Sequence, residues 1–445
     1  MSDFLTSLVA VVAVLGFMIL IHEFGHYAVA KWLGVRVEQF AIGFGTRLIG
    51  FRRGETDYRI NAIPLGGYVK MSGENPMETH TDDPREFLNH SRWHRFLIAI
   101  AGPAMNILLA IVLLTVVYMV HYEYPAVYDE PTVIGWVMRD SAAAKAGFQI
   151  GDRITKIGDV ENPTWEQVDL KEALNPGQPL DVQIDRDGKT LDKTVVPEAT
   201  GVDRIGYAGW APKEKTVTIT DLQPDMPAEK AGLKEGDQII SLDGKPVPAL
   251  AEMVDSLEIS KDKPIQLTVL RNGQQMTFTV QPVLSDTAPH RYRIGIGSMQ
   301  MKVKTLPFVA ALDLSLKENK QDSLLILELV KKMAERKISV RSIEGPIRIG
   351  QAAGEAARRK GWTPLMGLTA AISLNLGIFN LLPIPILDGG VILFLLIEGL
   401  MRRDISMHIK ERVYQAAFVF LVLFAAMVIW NDLMKTIPGL ADKLP

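Results

Sequence analysis

Three observations set the fold class of this 445-residue chain. Its apolar residues fall in blocks, and four blocks approach the ~20 residues a helix needs to cross hydrocarbon. Between the second and third blocks lies a long polar region that contains a domain-sized repeat. Lysine and arginine collect in the loops that follow the first and third blocks, which is the asymmetry that orients membrane proteins. The class predicted is a polytopic α-helical membrane protein with four transmembrane helices and two extracytoplasmic α+β domains. A net charge of -3 carries no basic footprint, so nucleic acid is not an expected partner. Zero cysteines exclude disulfides, thiolate metal sites and a cysteine nucleophile.

The first span occupies residues 1–33, with its apolar core from Phe4 to Leu33. Ala28-Val29-Ala30 resembles a signal-peptide cleavage site, but the preceding segment has no positive charge and carries Asp3, so a retained helix is expected. Residues 34–92 form a loop rich in arginine. The second span covers 93–122, the third 362–400 and the fourth 413–435; the second and fourth cores, Phe96 to Val120 and Val413 to Trp430, carry no charge. Placing the basic loops in the cytoplasm leaves both termini and the middle region outside. Arg358, Arg359 and Lys360 disagree, lying just before the third span on the outer side. Long loops, however, translocate with little regard to charge.

The repeat pairs "DSAAAKAGFQIGDRITKIGD" (140–159) with "DMPAEKAGLKEGDQIISLDG" (225–244), offset by 85 residues and identical at eight of twenty positions. Each copy reads as a short helix ended by Gly147 or Gly232, a Gly-Asp turn and an alternating strand. Asn272-Gly273 adds a hairpin signal. These stretches resemble PDZ domains of the permuted bacterial type, one at 127–213 and one at 216–304. The resemblance places peptide-binding loops at Ile205-Gly206-Tyr207 and Ile294-Gly295-Ile296. Such loops take a chain end as an added strand; the residues alone leave a folded spacer equally open. Residues 305–361 read as an amphipathic helical connector, either on the membrane surface or packed on protein.

His22-Glu23-Phe24-Gly25-His26 places two imidazoles on one helix face, where both can reach one zinc ion, with Glu23 beside it as a candidate general base. Charged groups in a membrane helix cost about 2.5–3.5 kcal/mol on insertion scales and are usually functional. Two histidines that merely bridge helices remain the structural alternative. A catalytic site needs a third ligand. Position 32 is Trp32, so the histidine of the soluble metzincin pattern is missing, and His80, His90, His94, His121, His290 and His408 lie outside the apolar cores. The acid within the third span is Asp388. His22 is about 27 Å along its helix from Phe4. Both residues therefore lie toward the cytoplasmic side. Pro383, Pro385, Gly389 and Gly390 should unwind the span around Asp388, which is tolerated at membrane depth only beside protein or a wet cavity.

The two motifs together, HExxH in the first span and Asn380-Leu381-Leu382-Pro383…Leu387-Asp388-Gly389 in the third, resemble the site-2 protease family of intramembrane zinc metalloproteases. Gly102-Pro103-Ala104-Met105-Asn106 is similar to that family's GPxxN stretch. The resemblance covers essentially the whole chain. It implies one Zn2+ per chain held by His22, His26 and Asp388, with Glu23 as catalytic base. It further implies substrate contacts at Asn380 and Pro383, and a membrane-associated β-hairpin at 59–71 that offers Gly66, Gly67 and Tyr68 to an extended substrate. The implied location is the bacterial inner membrane, with the active site toward the cytoplasm. The implied partners are the lipid bilayer and membrane-spanning proteins: an anti-sigma factor trimmed by an earlier cut, and remnant signal peptides. The PDZ pair would then exclude untrimmed ectodomains. The residues themselves leave two competitors, a PDZ scaffold with a structural metal site and a metal transporter. They also leave the metal open among several divalent ions.

Overall fold

The computed structural model describes residues 2–74, 81, 83–200, 205–213, 216–247, 249–284, 291–335, 338, 343, 345–359 and 361–436. His80, His290 and Lys360 lie outside this set. Eleven helices occur among the described residues: α1 (Ser2–Trp32), α2 (Arg92–Val120), α3 (Ala142–Lys145), α4 (Trp165–Ala173), α5 (Pro227–Lys230), α6 (Leu250–Ser260), α7 (Phe308–Ala334), α8 (Pro346–Arg358), α9 (Thr363–Asn380), α10 (Asp388–Met401) and α11 (Met407–Thr436). The chain divides into two compact units, one of Met1–Tyr122, Lys304–Glu328 and Glu344–Asp432, the other of Glu123–Val303, Leu329–Ile343 and Leu433–Pro445.

In the first unit, α2 packs against α1, α9 and α10. Small residues let the helices meet closely: a Cβ at Gly25 of α1 would lie 2.8 Å from the Ala101 carbonyl carbon and from Met105 Cγ. Among the described residues, α1, α2 and α11 are long and apolar enough to cross a membrane. The expected third span is two shorter helices, α9 and α10. Pro383 and Pro385 lack the N–H groups a continuous helix requires, and Ile386, just after them, sits at φ 89°. The helix is thus interrupted between Asn380 and Asp388, as the prolines and glycines predict. The expected connector at 305–361 contains α7 and α8.

The hairpin prediction needs correcting. Residues 59–71 are not a hairpin but most of the second strand of a larger one, β1 (Val37–Arg53) paired with β2 (Thr56–Met71). The chain reverses at Gly54, φ 61°, between the paired Arg53 and Thr56, whereas Gly66 and Gly67 lie inside β2. Both strands bend, so Gln39–Ile42 is flanked on one side by Asp57–Ile60 and on the other by Gly67–Lys70. Gly67–Met71 is therefore an edge.

The second unit holds two copies of one plan. In the first, strands 160–161, 153–157, 180–186 and 189–195 form an antiparallel sheet in that order, over a core of Ile154, Trp165, Val168, Ile184 and Val195. In the second, strands 217–218, 238–242, 265–271 and 274–280 pair in that order, with 245–246 also on 238–242 as 160–161 is on 153–157, over Ile239, Met253, Leu257, Leu267 and Val280. The repeated Gly-Asp has a structural purpose: Asp152 and Asp237, each 1% exposed, accept from Arg186 Nε at 2.6 Å and Arg271 Nε at 2.7 Å. Those arginines end the inner strand of each hairpin, 85 residues apart. The hairpin turns use Asp187-Gly188 and Asn272-Gly273, all at positive φ.

The first peptide-loop prediction is displaced. The Ala143 and Ala228 N–H groups donate to Ala208 O (2.8 Å) and Ile294 O (2.9 Å), and those of Met138 and Gln223 to Gly209 O (2.7 Å) and Gly295 O (2.9 Å). Ile294-Gly295-Ile296 therefore corresponds to Ala208-Gly209-Trp210, with Gly209 and Gly295 at φ 87° and 83°. Ile205-Gly206-Tyr207 is instead a strand paired with Glu198–Thr200.

Candidate active site

One turn of α1 separates His22 from His26, so both rings project from the same face, and Asp388 is the first residue of α10 just past the broken segment. His22 Nε2 lies 3.2 Å from Asp388 Oδ2, and His26 Nε2 lies 3.4 Å from Asp388 Oδ1. The two Nε2 atoms are 3.2 Å apart, and one donor atom from each of the three residues lies within 4.8 Å of the others. Both histidines are 8% exposed, which excludes a solvent-screened surface cluster. A glycine is required opposite them: a Cβ at Gly102 of α2 would stand 2.9 Å from His22 Cε1 and strike the His26 ring. The GPxxN stretch thus makes room for the imidazoles.

The proton positions fit a cation at the centre. His26 Nδ1 donates to Ile98 O at 2.7 Å, because a carbonyl can only accept. In its neutral form the ring turns a lone pair at Nε2 toward the carboxylate of Asp388. His22 Nδ1 lies 3.2 Å from the Asn106 carboxamide, whose Oδ1 is buried and without a partner as oriented. With the amide turned over, which its shape permits, Oδ1 accepts from Nδ1–H and the orphaned oxygen is satisfied. His22 then also presents a lone pair at Nε2. With both Nε2 atoms unprotonated, two imidazole lone pairs and a carboxylate converge on one point, an arrangement that a cation between them stabilises, and this donor set suits zinc. Asn106 and Ile98 are the residues sequence reasoning missed as ring-orienting partners. Asn106 ends the GPxxN stretch, so a signal for it was present; the carbonyl of Ile98 left none.

Glu23 stands aside from the three, facing the backbone of Val69 in β2. A Cβ at Gly67 would lie 3.5 Å from Glu23 Cγ, so the edge strand passes directly beside this carboxylate. His22, Glu23, His26 and Asp388 line a cavity of about 600 Å3, together with Tyr68 and Asn380. Pro383 lies apart from it, on a separate cleft of about 510 Å3 with Arg412 and Val413. Gly66 packs against the Phe44 ring.

Peptidase family M50 matches residues 10–424, and the chain belongs to that family. It is 33% identical to the Salmonella typhimurium protein named regulator of sigma-E protease RseP, over 98% of this chain and all of that one. The Escherichia coli protein of the same name is 31% identical over the same shares. A Vibrio cholerae protein whose name is that of a zinc metalloprotease is 32% identical, again over 98% and 100%. A PDZ domain of an SdrC-like protein from Listeria monocytogenes matches 19% of this chain and 90% of its own, with 18% identity and a TM-score of 0.18. The chain is a membrane-type zinc metalloprotease of the site-2 class.

Proposed function

We propose that His22, His26 and Asp388 hold the zinc ion and that Glu23 is the catalytic base of an endopeptidase acting on membrane-spanning segments. The observation that carries this reading is the convergence of those three side chains beside Glu23 and the outer strand of the hairpin. Bound zinc supplies the positive charge that polarises a peptide carbonyl and acidifies water. Glu23 takes the proton of the attacking water and passes it to the leaving amide nitrogen. A helical substrate hides its peptide bonds, so it must unwind first. An unwound substrate laid along the outer side of Gly67–Met71 finds replacement backbone partners there, its carbonyls exchanging for the Glu23 and Glu74 carboxylates to which the Val69 and Met71 N–H groups now donate, with Tyr68 and Asn380 along the cavity as contacts. Pro383 acts by ending α9 so that Asp388 can turn toward the histidines.

The remaining readings follow from charge and from the relatives. The chain crosses the bacterial inner membrane four times, α9 and α10 together making the third crossing. Its basic loops and active site lie on the cytoplasmic side, and its PDZ-like modules lie outside. Those modules, at 127–213 and 216–304, keep out untrimmed ectodomains. Likeness to RseP proteins makes a pre-cut, single-span anti-sigma factor the first substrate to test and remnant signal peptides the second.

The test compares Glu23→Gln with the parent on a co-expressed, trimmed single-span substrate, with zinc measured in both purified proteins. Cleavage lost with zinc retained is the expected result. Equal cleavage by both sinks the assigned mechanism.

A further inference from the structure

Peptide-binding loops of the PDZ type work by leaving backbone N–H groups unengaged, so that a partner's terminal carboxylate can accept them. In the first module the loop at Ala208-Gly209-Trp210 is already engaged. The Ala208 N–H donates to Glu172 Oε2 at 3.2 Å, across 36 residues of sequence, and Glu172 is 6% exposed. Its helix, α4, is pressed on the adjoining strand. The Glu172 carbonyl occupies the space a side chain at Gly206 would need, and Pro176 N lies 3.1 Å from the same point. The C-terminal end of α4 is also held from outside: Lys332 Nζ donates to Leu174 O at 2.6 Å and to Asn175 Oδ1 at 2.8 Å.

The second module shows what differs. Glu258 is the counterpart of Glu172, 86 residues on, the same offset that separates Gly209 from Gly295. Its Oε1 accepts from Tyr292 N at 2.7 Å, two residues before the loop. One glutamate thus recurs at the same place in both modules, but only in the first does it engage the loop itself.

We infer that the first PDZ-like module is self-capped: the Glu172 carboxyl group stands where a ligand's terminal carboxylate would bind, and Lys332 holds α4 in that position. This groove takes no free C-terminus while Glu172 is in place. The inference rests on the PDZ reading of residues 127–213, and a ligand with a free terminus must displace the internal acid before it can bind.

The test uses the full chain in detergent, carrying Glu23→Gln to spare the probe. The probe is a hexapeptide ending in valine, as free acid or as C-terminal amide, and the readout is hydrogen exchange of the segment 205–212. In the parent, neither peptide changes exchange. In Glu172→Ala, exchange without peptide rises about tenfold, the loss of one buried hydrogen bond. The free acid then restores protection and the amide does not. Lys332→Ala moves in the same direction, and Glu172→Gln, which keeps an acceptor oxygen, matches the parent. Protection of the parent segment by the free acid overturns the inference, as does unchanged exchange in Glu172→Ala. Faster exchange in that variant with no protection by the free acid overturns the PDZ reading of this groove, and the inference with it.

Discussion

At the residue scale the site depends on which nitrogen of each imidazole carries its proton. Ile98 O fixes this for His26 and the Asn106 carboxamide for His22. Removing a partner of this kind typically lowers metal affinity 10–100-fold. Asn106→Ala is therefore expected to weaken zinc binding by roughly that factor in competition with a chelator, while α2 keeps its place. Unaltered zinc affinity would show that His22 is oriented by something else. Glu172 supplies a second test, one of pH. Burial, and after it the charge of Asp169, push this carboxyl well above its ordinary 4.5. The folded chain then binds more protons than the unfolded chain between 4.5 and the raised value, so stability falls as pH rises through that window and levels off beyond it. Glu172→Gln should flatten this slope. Thermal unfolding from pH 4.5 to 8 checks it, and equal slopes in both proteins would refute the assignment.

At the element scale, α10 and α11 are joined by a buried ion pair. Lys410 Nζ lies 2.6 Å from Glu398 Oε1, and Glu398 is fully buried. Breaking such a pair from one side strands a charge, at about 3–5 kcal/mol, whereas replacing both partners by apolar residues is often neutral. Lys410→Met alone should lower the unfolding temperature sharply, and Glu398→Leu with Lys410→Met should recover most of it. Equal losses in the single and double variants would mean the pair does not hold the helices. The break between α9 and α10 and the pairing of His22 with His26 beside Asp388 were legible in the sequence, because proline lacks an N–H and a histidine spacing of four gives one helix face. The double bend of β1 and β2 was not, since it depends on pairing between distant stretches of strand. The first peptide loop was misplaced for a different reason: Arg204-Ile205-Gly206 and Arg293-Ile294-Gly295 are the same tripeptide. Hydrogen bonding, not spelling, decides which glycine occupies the left-handed position.

At the scale of the whole molecule, the chain joins the site of a zinc metalloprotease to a pair of repeated modules. The strand edge proposed to take the substrate would read backbone more than side chains, which leaves selection by access to be tested. If the first module is closed to chain ends, as inferred above, and the second takes none either, the modules act by bulk more than by capture. Replacing residues 127–304 with a flexible linker should then leave cleavage of a trimmed single-span substrate within about threefold of the parent, while cleavage of the same protein with its ectodomain intact rises by roughly tenfold or more. Capture predicts the opposite pattern, in which the trimmed substrate suffers most because its binding site has gone. Measuring both substrates in one membrane preparation, with and without the modules, separates exclusion from recruitment through the sign of a single ratio.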